Sequence, residues 1–261
     1  MQPDSSADSL DPARLLAAGV AARVEHYETL SSTHDRAHEV ARSADAAPLP
    51  LLVVAEEQTA GRGRGSNRWW TGRGSLAFSL LFDPAGWDLS REPTPRRSLA
   101  VGAAIVEVLR PLVPRHPLGL HWPNDVFADG RKLAGVLIDV LQGGRHVIGV
   151  GLNVNNTLDG APSDVRRRAT SLCELTGEMF DRTNLLVEIL ANVQRSLRAS
   201  MEDAAGFGQR LTDLCLQIGQ DLTVDLGGRR TTGRCLGIDA DGALVLETAA
   251  GPQRFYSGTL V

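Results

Sequence analysis

Residues 59–74 hold five glycines and four arginines, and Gly61-Arg62-Gly63-Arg64-Gly65 alternate strictly. A packed helix or strand cannot absorb such a stretch: glycine has no side chain to bury, and every guanidinium demands water, an anion or a carboxylate. The chain therefore passes from one buried element to the next through a long loop. Its flanks agree, since residues 48–57 are a mainly apolar run and residues 75–82 place Leu76, Phe78, Leu80 and Phe82 in alternation, so both read as strands. A loop of glycine and arginine between strands offers bare backbone N–H groups and bidentate donors, which suit a carboxylate or a phosphate. No Gly-Lys-Ser/Thr closes it as in a Walker A loop, and Ser66 occupies the place of the third glycine in a dinucleotide fingerprint. The plainer alternative is an RG-type linker.

The rest of the chain alternates between helical and strand periods. Residues 95–112 space Leu99, Ala103, Val106 and Leu109 as one helix face, and residues 181–200 do the same with Leu186, Leu190, Val193 and Leu197. Residues 118–122, 132–140 and 146–154 are apolar segments parted by turn residues, and we expect them to be neighbouring antiparallel strands of one sheet. Residues 1–24 are rich in Ala, Asp and Ser and predict a frayed lead-in with a weak helix near residues 12–22. From about Gly219 onward, short alternating strands and tight turns predict a small β-barrel. The expected fold class is α+β, divided as 1–24, 25–215 and 216–261.

Composition excludes several classes. The chain is 43% hydrophobic and 22% charged, enough to bury a core without disulfide or metal staples. No apolar run reaches the ~18 residues of a membrane span, and no basic segment followed by an apolar one marks a secretory signal. Cys173, Cys215 and Cys235 form no CxxC pair and read as isolated core thiols of a cytoplasmic protein. A net charge of −4 argues against a protein devoted to DNA. Of the 27 basic residues, Lys132 is the one lysine. Where arginine serves every other cationic position, a lone lysine suggests a site that needs a compact ammonium a planar fork cannot replace.

Lys132 lies seven positions after Asp125 in Trp122-Pro123-Asn124-Asp125. An amide, a carboxylate and a lysine together suit nucleotide and Mg²⁺ chemistry, while a simple Pro-Asn-Asp turn is the competing reading. Gly149, Gly151 and Asn153 alternate with branched residues, giving a strand one face without bulk; that face could take a flat ligand or a closely packed helix. Ser31-Ser32-Thr33-His34 reads as a helix N-cap whose hydroxyls could also meet a neutral polar ligand. His34 and His38 share a helix face at metal-pair spacing, but the sequence shows no third ligand. Arg166, Arg167 and Arg168 read as a solvated surface run.

Taken in order, Ser31 to His34, Glu57 to Gly65 with Trp69, Trp122 to Asp125, Lys132 to Leu137 and Gly149 to Asn153 resemble the motifs of biotin protein ligases. The resemblance is strong over residues 28–154 and weaker beyond. It implies a catalytic domain related to class II aminoacyl-tRNA synthetases followed by an SH3-like barrel. It also implies an activity: biotin and MgATP give biotinyl-5′-AMP and pyrophosphate, and a lysine of the biotin carboxyl carrier domain of an acyl-CoA carboxylase then takes the biotin. By the same resemblance, Lys132, Arg62, Arg64 and Asp125 are the catalytic candidates. Ser32, Thr33, His34, Gln58, Arg62, Gly63, Arg64, Trp69, Lys132, Gly135, Gly149 and Gly151 are candidates for biotin. Arg64, Gly65, Ser66, Trp69, Asn124, Asp125, Lys132 and Asn153 are candidates for ATP, with Asp125 for Mg²⁺. Biotin and ATP are substrates, and no tightly bound prosthetic group is expected.

Two departures from the family stand out. His34 occupies a position where asparagine is common, and only 30 residues precede Ser31, fewer than the winged-helix DNA-binding domain of some members. The expectation is a ligase-only protein with no DNA or membrane partner. The rival readings are a lipoate or octanoate ligase or transferase of related fold, and a biotin-sensing DNA-binding regulator.

Overall fold

A computed structural model describes residues 9–43, 48–91 and 95–261. In chain order it contains α1 (Pro12–Ala17), β1 (Arg23–Leu30), α2 (Thr33–Arg42), β2 (Leu51–Gln58), β3 (Leu76–Phe82), α3 (Arg96–Leu109), β4 (Leu118–His121), β5 (Asp125–Ala128), β6 (Arg131–Val140), β7 (His146–Leu152), α4 (Ser163–Arg168), α5 (Leu172–Thr176), α6 (Arg182–Glu202), α7 (Ala204–Leu214) and β8 (Asp221–Leu226). The C-terminal strands follow as β9 (Arg229–Ile238), β10 (Leu244–Thr248), β11 (Gly251–Phe255) and β12 (Thr259–Leu260).

The first seven strands form one sheet in the order β1-β2-β3-β7-β6-β5-β4. β1 and β2 run parallel and every other neighbouring pair is antiparallel. The apolar run of β2 follows from cover on both faces. Leu51 and Val53 pack with Ala37, Val40 and Ala41 of α2, whereas Leu52 and Val54 join the main core with Phe78, Leu80 and Phe82. Helices α3 and α6 pack together beneath that main core, and polar side chains lock them: Ser196 donates to the Ala100 carbonyl at 2.8 Å and Asn192 to that of Ala104 at 3.0 Å.

Two expectations need correction here. The strands expected at residues 118–122 and 132–140 are not neighbours, because β5, which the Pro-Asn-Asp sequence disguised as turn, pairs with both β4 and β6. The lead-in is also not frayed over its described part. Leu10 and Leu15 are buried, the Leu10 N–H donates to Glu56 Oε1 at 3.0 Å, and the Asp11 N–H donates to Thr183 Oγ1 at 3.0 Å. Residues 1–8 lie outside the described residues.

The C-terminal strands make a small antiparallel domain of order β11-β10-β9-β8-β12. It is anchored on the edge of the large sheet: the Trp122 N–H donates to Gln217 Oε1 at 2.7 Å, and the Trp122 indole donates to the Gly242 carbonyl at 3.2 Å. Ile238, Leu244 and Leu246 bury into the same apolar cluster as Leu211 and Leu214 of α7. Cys215 and Cys235, isolated in sequence, are both buried in that cluster as free thiols.

Candidate active site

Helix α2 begins at the sheet surface because Ser32 caps it, its hydroxyl accepting from the Asp35 N–H at 3.3 Å. That cap delivers Thr33 to Gln58 on β2. Gln58 Oε1 accepts from the Thr33 N–H at 2.8 Å and from its hydroxyl at 3.2 Å, while Gln58 Nε2 donates to Thr71 at 3.1 Å. The Thr33 hydroxyl also lies 2.9 Å from that of Ser79 on β3. The result is a neutral, mutually hydrogen-bonded cluster on the wall of a cavity of about 830 Å³.

The glycine-arginine segment folds over this cavity as a small hairpin. Gly63 N–H donates to the Asn67 carbonyl and Trp69 N–H to the Gly61 carbonyl, both at 2.9 Å, with an antiparallel bridge between Arg62 and Arg68. Gly61 has to be glycine, since a Cβ there would stand 2.6 Å from the Trp69 carbonyl. The Arg62 guanidinium pairs with Asp35 on α2 at 2.7 Å, and Arg64 donates to the Gly258 carbonyl of the C-terminal domain. The hairpin is thus pinned at both ends, and Thr259 and Leu260 of β12 complete the cavity wall.

Strands β6 and β7 supply the floor. Gly135 faces Gly151 across the ladder, and Gly149 follows two residues before Gly151 on the same face. The space their missing side chains leave is occupied by protein groups. A Cβ at Gly151 would meet the Trp69 ring at 2.1 Å, one at Gly149 would meet His34 Nδ1 at 2.6 Å, and one at Gly135 would meet Lys132 and Asp125 at 3.2 to 3.3 Å.

Lys132 Nζ lies 2.8 Å from Asp125 Oδ2 and 5.6 Å from the centroid of the Trp69 ring. The β-bulge between Val126 and Phe127 shifts the β5–β6 register, so that the ammonium and the carboxylate come together from adjacent strands. Asp125 Oδ1 is buried without a hydrogen-bond partner. His121, held by burial below the usual histidine range, stands nearby on the same cavity wall.

The sequence candidates divide clearly. Thr33, His34, Gln58, Arg62, Gly63, Arg64, Trp69, Asn124, Asp125, Lys132, Gly135, Gly149, Gly151 and Asn153 line the cavity together. Ser32, Gly65 and Ser66 do not: Ser32 is spent on the helix cap, and Gly65 and Ser66 form the exposed hairpin tip. The Asn124 amide donates to the Val136 carbonyl at 2.7 Å. Asn153 donates to the Thr170 carbonyl at 2.9 Å and accepts from Asn156 at 3.2 Å, so both amides hold the wall in shape.

Four participants escaped sequence reasoning. Ser79 and Thr71 are small hydroxyls in ordinary strand and loop settings with no local signal. Arg168 is exposed, as the sequence predicts, and also lines the cavity, because Ala169 next to it bridges to Lys132 and the Thr170 N–H donates to the Lys132 carbonyl at 3.0 Å. Asp139 of β6 supplies the partner that the histidines lacked: His34 Nε2 is 3.0 Å from Asp139 Oδ2. His34 holds the Asp139 carboxyl below the usual carboxylate range, and burial, then His34, keep His38 low.

Residues 27–155 match the Biotin/lipoate A/B protein ligase family and residues 218–260 the biotin protein ligase C-terminal domain. A biotin--[acetyl-CoA-carboxylase] ligase of Mycobacterium tuberculosis is 37% identical over 85% of this chain and 83% of its own length. The chain belongs to the biotin protein ligase family. Its relatives include the bifunctional ligase/repressor BirA of Bacillus subtilis, 32% identical over 90% of this chain and 72% of the relative. Among solved structures, the biotin protein ligase of Aquifex aeolicus in complex with biotin and ATP superposes with a TM-score of 0.78 at 27% identity, covering 92% of this chain and 97% of that one. The α+β fold with its small C-terminal β domain is therefore that of biotin protein ligases.

Proposed function

We propose that this chain is an ATP-dependent biotin ligase that forms biotinyl-5′-AMP and transfers biotin to a lysine of the biotin carboxyl carrier domain of an acyl-CoA carboxylase. One observation carries the reading: a single cavity combines the neutral cluster of Thr33, Gln58 and Ser79 with a cationic set of Lys132, Arg64, Arg68 and Arg168. The first suits an uncharged cyclic urea, and the second suits a carboxylate beside a polyphosphate.

In the first step a biotin carboxylate oxygen attacks the α-phosphorus, the bond to the bridging α–β oxygen breaks, and pyrophosphate leaves. Negative charge grows on the α-phosphoryl oxygens, and Lys132, already positioned by Asp125, meets it with a compact ammonium. Asp125 Oδ1, a buried carboxylate oxygen without a partner, fits the oxygen chemistry of Mg²⁺, and Asp125 would hold that ion, which neutralises phosphate charge when bound. The hairpin and the Trp69 ring shield the mixed anhydride from water. In the second step the ε-amine of the carrier lysine attacks the acyl carbon, AMP leaves, and an amide forms. No nucleophile of this chain is needed, in keeping with Cys173, Cys215 and Cys235 being absent from the cavity wall. The reading places the work in the cytoplasm, with no DNA partner, as the net charge of −4 also suggests.

The test is pyrophosphate release from MgATP with biotin, lipoate or octanoate as the acid, followed by mass mapping of an added carrier domain. We expect biotin-dependent release and one labelled lysine. Release with lipoate or octanoate and none with biotin would assign the chain to the acyl-transferring branch instead.

A further inference from the structure

Among the described residues, His34, His38 and Asp139 form the one group of three His, Cys, Asp or Glu side chains whose ligand atoms all lie within 4.8 Å of one another. Helix α2 presents His34 and His38 at i and i+4, with ring centroids 4.9 Å apart, and β6 brings Asp139 across from them. Asp139 Oδ2 is 3.0 Å from His34 Nε2 and 3.0 Å from His38 Nε2. Only the His34 contact is a hydrogen bond. His38 Nε2 is enclosed without a hydrogen-bond partner despite its nearness to the same oxygen, and His34 Nδ1 also has none.

We propose that these three side chains form a binding site for a divalent transition metal of the zinc class. Two imidazole nitrogens and one carboxylate are the donor set such an ion selects, and water would complete the shell. Tetrahedral bonds of about 2.0 to 2.1 Å place neighbouring ligand atoms about 3.3 Å apart, close to the two 3.0 Å separations already present. The Asp139 side chain is 39% exposed and that of His38 16%, which leaves an entry path from solvent while His34 stays buried. Mg²⁺ prefers all-oxygen octahedral shells and is excluded by the nitrogen donors.

His34 places the metal site beside the cavity: its ring packs on the backbone of Gly149, where a Cβ would stand 2.6 Å from Nδ1, and both residues belong to the cavity wall. The metal site does not rest on the biotin reading above.

The experiment is a titration of the untagged, chelator-treated full chain with ZnCl₂ against a chromophoric chelator, and with CoCl₂ by visible absorption. We expect one saturable equivalent, no effect of MgCl₂ at the same concentration, and at least roughly tenfold weaker metal binding in both His38→Ala and Asp139→Asn. Absence of saturable binding, or binding in the two folded variants equal to that of the wild type, would overturn the proposal.

Discussion

Trp69 and Gly151 occupy one space: a Cβ on Gly151 would stand 2.1 Å from Trp69 Cε2, so the indole lies directly on the backbone of β7. The ring arrives on the hairpin, the glycine sits in the centre of the sheet, and of the two the hairpin is the part that can yield. Gly151→Ala should therefore displace Trp69 rather than the strand. We expect turnover to fall by roughly 10²-fold, the scale of a small misplacement at a reacting centre, with global stability little changed. Pyrophosphate release together with urea unfolding checks this, and wild-type turnover would contradict it.

Lys132 is boxed by Asp125 at 2.8 Å, by the face of Trp69, and by Gly135, whose Cβ would come within 3.3 Å of Nζ. A planar guanidinium cannot present the same compact set of rotatable donors among these neighbours. Lys132→Arg should consequently be nearly as damaging as Lys132→Ala, each losing about 10²–10³ in rate, or about 2.7–4 kcal/mol. If charge alone mattered, arginine would be tolerated, so near-normal pyrophosphate release by Lys132→Arg would show the lone lysine to be an accident of composition.

Arg64 joins the hairpin to the C-terminal domain through the Gly258 carbonyl. Arg64→Ala removes that tie as well as a cavity cation, and the reactive anhydride should escape. We expect more free biotinyl-AMP relative to labelled carrier, with little self-labelling, because Lys132 is the single lysine of the chain. Thin-layer quantitation of the adenylate beside mass mapping gives both readouts. Carrier labelling at wild-type efficiency with no extra adenylate would refute the sealing role.

The buried pair of Glu56 and Arg182, 2.8 Å apart, fastens the lead-in and α6 to β2. Burial pushes the Glu56 carboxyl upward, but the Leu10 N–H and the Arg182 guanidinium outweigh it and hold the group below the usual carboxylate range. A depressed folded pKa contributes stability above the unfolded value of about 4.3, and that contribution disappears as pH falls through the lower folded value. Wild-type Tm should therefore drop over that acid window. Arg182→Ala, which strands a buried carboxylate, should cost about 3–5 kcal/mol at neutral pH and show a smaller acid loss. Chemical denaturation at several pH values decides it, and a variant with the wild-type acid slope would remove the pair from the explanation.

Much of this protein was legible locally. The cap at Ser32, the period of α3 and α6, the apolar runs of β2 and β3 and the turn-rich C-terminal strands each declare themselves within a dozen residues, because hydrogen-bonding caps and burial periods are short-range properties. The ordered motifs likewise marked the segments that line the cavity. What needed the tertiary structure were pairings between distant segments. Asp139 meets His34 across 105 positions only because β6 crosses near α2, and Arg168 reaches the cavity only because Ala169 bridges to Lys132. β5 hid behind a turn-like sequence, since a four-residue strand owes its existence to the neighbours on either side. The glycines of β6 and β7 carried the same ambiguity: a missing side chain announces a close approach, but only the fold decided that Trp69, His34 and Lys132 would be what approaches.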